Sequence, residues 1–324
     1  MMRASTCLRT ALLALLLLAD TACAQQRAPA HGPASRAVWT WEAPSYAMLE
    51  SPQAAEEALA FLQRKRITVV YLYADAYKGR NLITQQPERY RAFIRSAHAR
   101  GIRVYALLGS WYLSTERYVL PRHQRKARVM LQRVLDYNAN AAASERFDGV
   151  NYDIEPHLLD EWEDASQQRL LRGFLDMSAD LMDAKRKAGQ ALPIGPAMPF
   201  WWDGIEMEWR GTRKPVSEHV IDLTDYVALM DYRNRAEGSD SILSHAQDEM
   251  AYADRAGKQV VIGLEFNPGE PAKLSFHGMQ ESAFEKETAK VEAAYGRRPA
   301  FGGFVFHHYM GYRRFVGELP PGTK

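Results

Sequence analysis

The stretch FDGVNYDIEP, residues 147–156, brings Asp148, Asn151, Asp153 and Glu155 within eight positions of one another, interleaved with Val150, Tyr152 and Ile154. In an extended strand successive side chains point to opposite faces, so Asn151, Asp153 and Glu155 share one face and the three apolar residues share the other. A solvated outer strand is one reading of that pattern. The other sinks the polar face into protein, where a ladder of acids costs several kcal/mol unless it is hydrogen-bonded or partly neutralised, and that points to acid–base chemistry. Glu155, nearest the strand end, then stands as a general acid, and Asp153 two residues below it can share its proton and modulate its pKa.

Such a strand needs a scaffold that buries both faces. Eight β-rich runs recur along the chain: AVWTW (37–41), ITVVYLYA (67–74), IRVYALLGSW (102–111), FDGVNYDIE (147–155), LPIGPAMPF (192–200), YVALMDY (226–232), QVVIGLEF (259–266) and FGGFVFHHY (301–309). Amphipathic stretches such as PQAAEEALAFLQRKR and SQQRLLRGFLDMSADLMDAKRKAG lie between them, several ending in Arg, Lys or Gly as helix C-termini do. This alternation predicts an α/β fold, a single-domain (β/α)8 TIM barrel over residues 37–316 with a short tail at 317–324, in line with the roughly 250 residues typical of such barrels. An open doubly wound sheet is the alternative, but no Gly-rich dinucleotide turn or phosphate loop follows the first strand. The segment WWDGIEMEWRGTRKPVSEH (201–219) is too long and aromatic for a simple connection and predicts an elaborated loop beside the strand ends.

In a barrel of this kind the active site gathers at the C-terminal ends of the strands. Asn151, Asp153 and Glu155 then face the interior, and Val150, Tyr152 and Ile154 face the helices. Glu265, near the end of the seventh run, is a candidate second carboxylate for a retaining mechanism; a barrel-mouth ion pair is the competing role. Asp231 is another candidate acid, or the partner of Arg233 or Arg235. Aromatic residues near strand ends can stack on the apolar face of a sugar ring, and Trp41, Tyr73, Trp111, Trp201 and Tyr232 are the candidates carried forward. His307 and His308 are neighbours on a strand and point to opposite faces, and no other His or Cys cluster completes a ligand set, so no metal and no cofactor is expected. His308 is taken as the one that lines the mouth.

The fourth run also resembles a known family. Asp148-Gly149-Val150-Asn151-Tyr152-Asp153-Ile154-Glu155 is similar to the Asp-x-x-Asp-x-Asp-x-Glu signature of family 18 glycoside hydrolases, the chitinase-like barrels, with Asn151 in place of the second Asp. The resemblance implies that Glu155 protonates the glycosidic oxygen and that Asp153 orients a substrate acetamido group acting as nucleophile. It is partial on the sixth run. There the family's Met-x-Tyr-Asp meets Met230-Asp231-Tyr232-Arg233, which implies a contact from Tyr232 to the acetamido oxygen. The family's Trp at the end of the eighth strand has no counterpart in FVFHHYMGY.

With 41 basic and 39 acidic residues the chain has no polyanion-binding signature, and nucleic acid is not an expected partner. Arg3 and Arg9, the run ALLALLLLA (11–19) and Ala22-Cys23-Ala24 read as a secretory signal peptide over residues 1–24, followed by a Pro/Gly/Ala-rich leader over 25–36. A lipidated Cys23 is the alternative, with Asp20 where an apolar residue belongs. Both cysteines, Cys7 and Cys23, precede the cut, so the exported chain must be held by its core. No later run approaches the roughly 20 apolar residues of a membrane span. No Gly-x-Ser-x-Gly elbow signals a serine hydrolase. The expectation is a periplasmic or secreted glycoside hydrolase acting on a polysaccharide or glycan, one carrying N-acetylhexosamine under the resemblance. A catalytically silent carbohydrate-binding barrel is the alternative.

Overall fold

Each of the eight β-rich runs forms one strand of a closed barrel in the computed structural model of the protein, which describes Gly32 and residues 35–320. The signal-peptide, Cys23 and most of the leader assignments lie outside these residues. In chain order the strands are β1 (Arg36–Thr40), β2 (Val69–Tyr73), β3 (Arg103–Leu108), β4 (Gly149–Tyr152), β5 (Ile194–Pro199), β6 (Glu206–Trp209), β7 (Thr212–Pro215), β8 (Tyr226–Met230), β9 (Gln259–Glu265) and β10 (Phe301–His307). Around the barrel the order is β1, β10, β9, β8, β5, β4, β3, β2 and back to β1, with every pair parallel. β6 and β7 form a separate antiparallel hairpin.

The period-two pattern of the strands sorts side chains into two layers. Ala37, Trp39, Val69, Tyr71, Tyr105, Leu107, Ala197, Tyr226, Ala228, Val261 and Val305 fill the interior. Val38, Val70, Val104, Val150, Tyr152, Ile154 and their counterparts pack outward against the helices. Trp39, Tyr71, Tyr105 and Tyr226 meet successively at ring-centroid separations of 5.8, 5.5 and 6.0 Å, which plugs the barrel and leaves its mouth as the place for a ligand.

The helices start and stop where local chemistry dictates. Helix Pro52–Arg64 opens with Pro52 in its first turn and the Ser51 side chain accepting from Ala54 N at 3.2 Å. Helix Asp164–Lys187 opens with a Glu163/Ser166 capping box and ends on Lys185, Arg186 and Lys187. The 201–219 segment becomes a short 3-10 turn (Phe200–Gly204), the β6–β7 hairpin and helix Val216–Leu223. Trp209 ties the hairpin to the long helix by donating from Nε1 to Asp176 Oδ1 at 2.9 Å. Among the described residues no helix is long and apolar enough to cross a membrane.

Candidate active site

β4 positions the acids, and it does so beyond its own last paired residue. Asp153 N still donates to Leu108 O at 2.7 Å, which holds the chain against β3 for one more step. This approach depends on Gly109, whose φ is +98° and whose added Cβ would lie 2.0 Å from Asp153 O. Pro156 then opens a 3-10 turn, Pro156–Leu158, that lifts the chain out of the sheet with Glu155 at its cap.

The three polar residues of the ladder have different fates. Asn151 is fully buried one layer below the mouth, accepting from Trp39 Nε1 at 2.8 Å and donating from Nδ2 to Gly195 O at 3.1 Å. It bridges β1 and β5 and does not line the pocket, so the expectation that it binds substrate is corrected: its amide is committed inside the barrel. A carboxylate there could not donate to Gly195 O, which accounts for Asn where the family signature has Asp. Asp153 comes next, with an Oδ1 atom shut away from solvent and without a hydrogen-bond partner. Burial pushes its pKa well above the usual carboxylate range, and the nearby charges of Glu155 and Glu42 push the same way. Glu155 is partly exposed, and its Oε2 lies 3.0 Å from His157 Nε2.

Asp153 and Glu155 open into a cavity of about 330 Å³. Trp41 and His307 form one wall. Tyr77, Trp111, Tyr112 and Leu158 form an outer aromatic and apolar rim, and Glu42, Thr115 and Glu116 complete the lining. Trp111 is 84% exposed and Tyr112 52%, a degree of exposure unusual for large aromatic side chains and matched to a stacking surface.

The ends of β9 and β10 supply the far side. Glu265 Oε1 accepts from Phe266 N, Asn267 N and Asn267 Nδ2, each at 2.7 Å, and Oε2 lies 2.6 Å from His307 Nδ1. Burial works to raise its pKa, but the His307 and Asn267 hydrogen bonds outweigh burial and hold it below the usual value. His307 Nε2 accepts from Trp41 Nε1 at 3.3 Å, so the ring carries its proton on Nδ1, toward Glu265. Tyr232 tilts against His307 with centroids 5.7 Å apart. Its phenol is pushed well above its ordinary pKa by burial, and the charges of Glu265, Asp153 and Glu155 push the same way.

Other candidates fall elsewhere, each for a local reason. Tyr73 is fully buried against Tyr46 and donates its hydroxyl proton to Ala76 O at 3.0 Å, so it offers no face to a ligand. Asp231 is buried beneath the mouth and pairs with His245 at 3.2 Å, while Arg233 bonds Asp240 at 2.6 Å; burial, the largest influence, raises the Asp231 pKa to about 6. Trp201 meets His157 edge-on at 5.4 Å and so reaches the site through that imidazole, without lining the cavity. His308 accepts from Met310 N at 3.2 Å as the cap of helix Tyr309–Phe315, and burial lowers its pKa to about 4. His307, not His308, faces the pocket. Strand parity carried that signal, because His307 shares its face with the interior residue Val305.

Glu42, His157, Tyr77, Tyr112 and Glu116 also belong to the site or touch it and were not among the sequence candidates. They sit just after β1, β2, β3 and β4, Glu42 at the start of helix Glu42–Glu50 and the others in short turns, where strand spacing no longer fixes direction. Among the described residues no group of three or more His, Cys, Asp or Glu is gathered as a metal would require.

No protein-family model matches the chain, and no curated protein matches it in sequence. Solved structures do match in fold. A family 18 chitinase from Cycas revoluta in complex with (GlcNAc)3 aligns over 87% of this chain and 97% of its own with a TM-score of 0.53 at 13% identity. A chitinase from Bacteroides thetaiotaomicron covers 86% of this chain and 90% of its own, with a TM-score of 0.51 at 12% identity. A family 18 N-acetylglucosaminidase from Paenibacillus barengoltzii covers 88% and 98% with a TM-score of 0.50 at 14% identity. The chain thus bears a distant resemblance to the family 18 glycoside hydrolases and shares their (β/α)8 barrel.

Proposed function

We propose that the protein is a glycoside hydrolase that cleaves an N-acetylhexosamine-containing glycan by substrate assistance. Glu155 delivers its proton to the glycosidic oxygen as the bond to the anomeric carbon breaks. The acetamido oxygen of the substrate attacks that carbon from the other side, oriented by Asp153 and contacted by Tyr232. Water then opens the cyclic intermediate and Glu155 takes back a proton. The observation that carries this reading is the state of the carboxylates at the barrel mouth. Asp153 has a free, buried oxygen and a raised pKa next to Glu155, whereas Glu265, the partner a two-carboxylate mechanism would need, accepts four hydrogen bonds from its own loop and His307. A carboxylate held in that way is a poor nucleophile, which favours assistance by the substrate.

Glu155→Gln keeps the shape of the side chain and removes the acid. Turnover of an N-acetylated oligosaccharide is expected to fall by about a hundredfold or more, with an unchanged melting temperature. Activity within a few-fold of the wild type would remove Glu155 from the mechanism. Export belongs to the same proposal: the mature chain is expected to begin at or near Gln25, which N-terminal sequencing decides.

A further inference from the structure

Outside the cavity, the surface that follows β3 combines exposed apolar side chains with unpaired cations. Among the described residues the exposed large apolar side chains are Trp111, Tyr112, Val129 and Leu158. They lie on adjoining elements. Trp111 and Tyr112 stand on the 3-10 turn Trp111–Leu113, which leads into the turn Thr115–Val119, and the turn that carries Leu158 packs against Thr115–Val119. Val129 lies on the next helix, Gln124–Ala139, one turn beyond Arg125. A sugar stacked on Trp111 covers one face of an indole that is exposed on nearly all sides, and it leaves Val129 uncovered.

The same elements gather cations. Arg122, His123, Arg125 and Lys126 fall within five consecutive positions where helix Gln124–Ala139 begins. Arg169 and Arg172, a turn apart on helix Asp164–Lys187, stand alongside: Gln124 Nε2 donates to both Val119 O and Gly173 O at 3.2 Å, and a Cβ on Gly173 would lie 2.3 Å from Val119 O. At the edges of the patch, Arg117 and Arg128 face Glu116 at 3.8 Å and Asp180 at 3.2 Å. Arg122, Arg125, Lys126, Arg169 and Arg172 are exposed and pair with no carboxylate among the described residues. Helix stability does not account for those at the helix start. The positive end of the macrodipole lies there, cations are unfavourable beside it, and the first turn holds no acid in compensation.

Cations beside aromatic and aliphatic side chains match the interface of an anionic bilayer, where Arg and Lys meet phosphate groups while Trp and Tyr sit at headgroup depth. A soluble polyanion would use the cations and stack on Trp111 and Tyr112, but it would give Val129 and Leu158 no partner. We infer that this face, with Trp111, Tyr112, Val129, Arg122, Arg125 and Lys126 at its centre, docks the protein peripherally on an anionic lipid surface. Trp111, Tyr112 and Leu158 also rim the cavity, so docking turns its mouth toward that surface. This docking is independent of whether the barrel hydrolyses a glycan.

The test is co-sedimentation with vesicles of phosphatidylcholine alone or with about one-third phosphatidylglycerol. It uses the chain from Gln25, which contains every strand and helix of the barrel and omits the apolar run 11–19, itself able to seek a bilayer. At about 0.02 M salt, partition onto the anionic vesicles is expected to be at least about tenfold stronger than onto the neutral ones, with most of that preference lost at about 0.5 M. Arg122→Glu, Arg125→Glu and Lys126→Glu together should weaken partition about a hundredfold at low salt and leave the melting temperature unchanged, since all three side chains are exposed. If that variant folds poorly, Arg125→Gln with Lys126→Gln should still weaken partition about tenfold. Absence of a salt-sensitive preference for anionic vesicles, or undiminished binding by a charge variant that melts like the wild type, would overturn the inference. Capture by soluble dextran sulfate without partition onto vesicles would assign the face to a soluble polyanion and overturn the membrane as its partner.

Discussion

Asp153 and Glu265 are carboxylates at strand ends of the same barrel mouth, and the protein treats them in opposite ways. At the end of β9, Glu265 is met by three N–H donors on one oxygen and by His307 on the other, and its charge is stabilised. At the end of β4, partly buried Asp153 stands near Glu155 with one oxygen shut from solvent and unpartnered, and its charge is opposed. The first arrangement is a strut that orients His307 and, through it, Trp41. The second withholds hydrogen bonds that the fold could have supplied, which leaves capacity for a substrate group or a proton. A carboxylate's type and its place in the barrel do not distinguish these roles, but the number of donors aimed at it does.

This contrast is open to direct attack. The largest effect is expected from Asp153→Asn, with turnover falling about a hundredfold while stability near neutral pH is kept or increased. The folded state holds the Asp153 pKa above its unfolded value, so the folded state binds the proton more tightly and stability declines as pH rises through the interval between the two. The variant escapes that decline, and its advantage over the wild type in chemical denaturation should grow as pH rises above about 4. A variant that is markedly less stable at neutral pH would make Asp153 a structural group like Glu265.

Glu265→Gln should show the reverse balance. Loss of charge from a carboxylate accepting four hydrogen bonds is expected to lower stability by about 2–3 kcal/mol at neutral pH. The folded pKa of Glu265 lies below its unfolded value, so its contribution is present above the unfolded pKa and is lost as pH falls through the folded one. Denaturation curves of variant and wild type should therefore converge on acidification. Wild-type stability combined with abolished turnover would instead return Glu265 to the role of nucleophile.

Smaller effects refine the picture. Tyr232→Phe removes the hydroxyl proposed to contact the acetamido oxygen and should cost about tenfold in kcat/KM on an N-acetylated substrate, about one hydrogen bond's worth. An unchanged kcat/KM would detach Tyr232 from the substrate. Trp111→Ala, at a side chain 84% exposed, should move stability by less than about 0.5 kcal/mol. It should weaken oligosaccharide affinity by about 1 kcal/mol, read as a raised KM with little change in kcat. A fall in kcat with constant KM would mean that the rim shapes the chemistry as well as the affinity.

The barrel was legible in the sequence because its signals are local and repeated. The eight strand runs, the alternation that sent Val150, Tyr152 and Ile154 toward the helices and Asn151 and Asp153 inward, and the Ser51-Pro52 and Glu163/Ser166 helix starts all depend on residues a few positions apart. Glu155 and Asp153 were legible for the same reason, since a strand end in a barrel is a defined place. Partnership was not. Whether Asn151 met a ligand or Trp39, whether Glu265 was open or enclosed, and whether Asp231 faced the cavity or His245 depended on groups 14 to 112 positions away or on the path of a loop. The choice of His307 over His308 lay between these cases, fixed by parity with Val305 once β10 had a register. The Glu42–Ser110 hydrogen bond joins the segments that follow β1 and β3, which only the barrel brings together. Sequence alone determined which residues could carry a proton and on which strand they stand, because covalent spacing and strand geometry are local; the tertiary structure decided which of them would keep it, because hydrogen-bond donors and neighbouring charges come from distant parts of the chain.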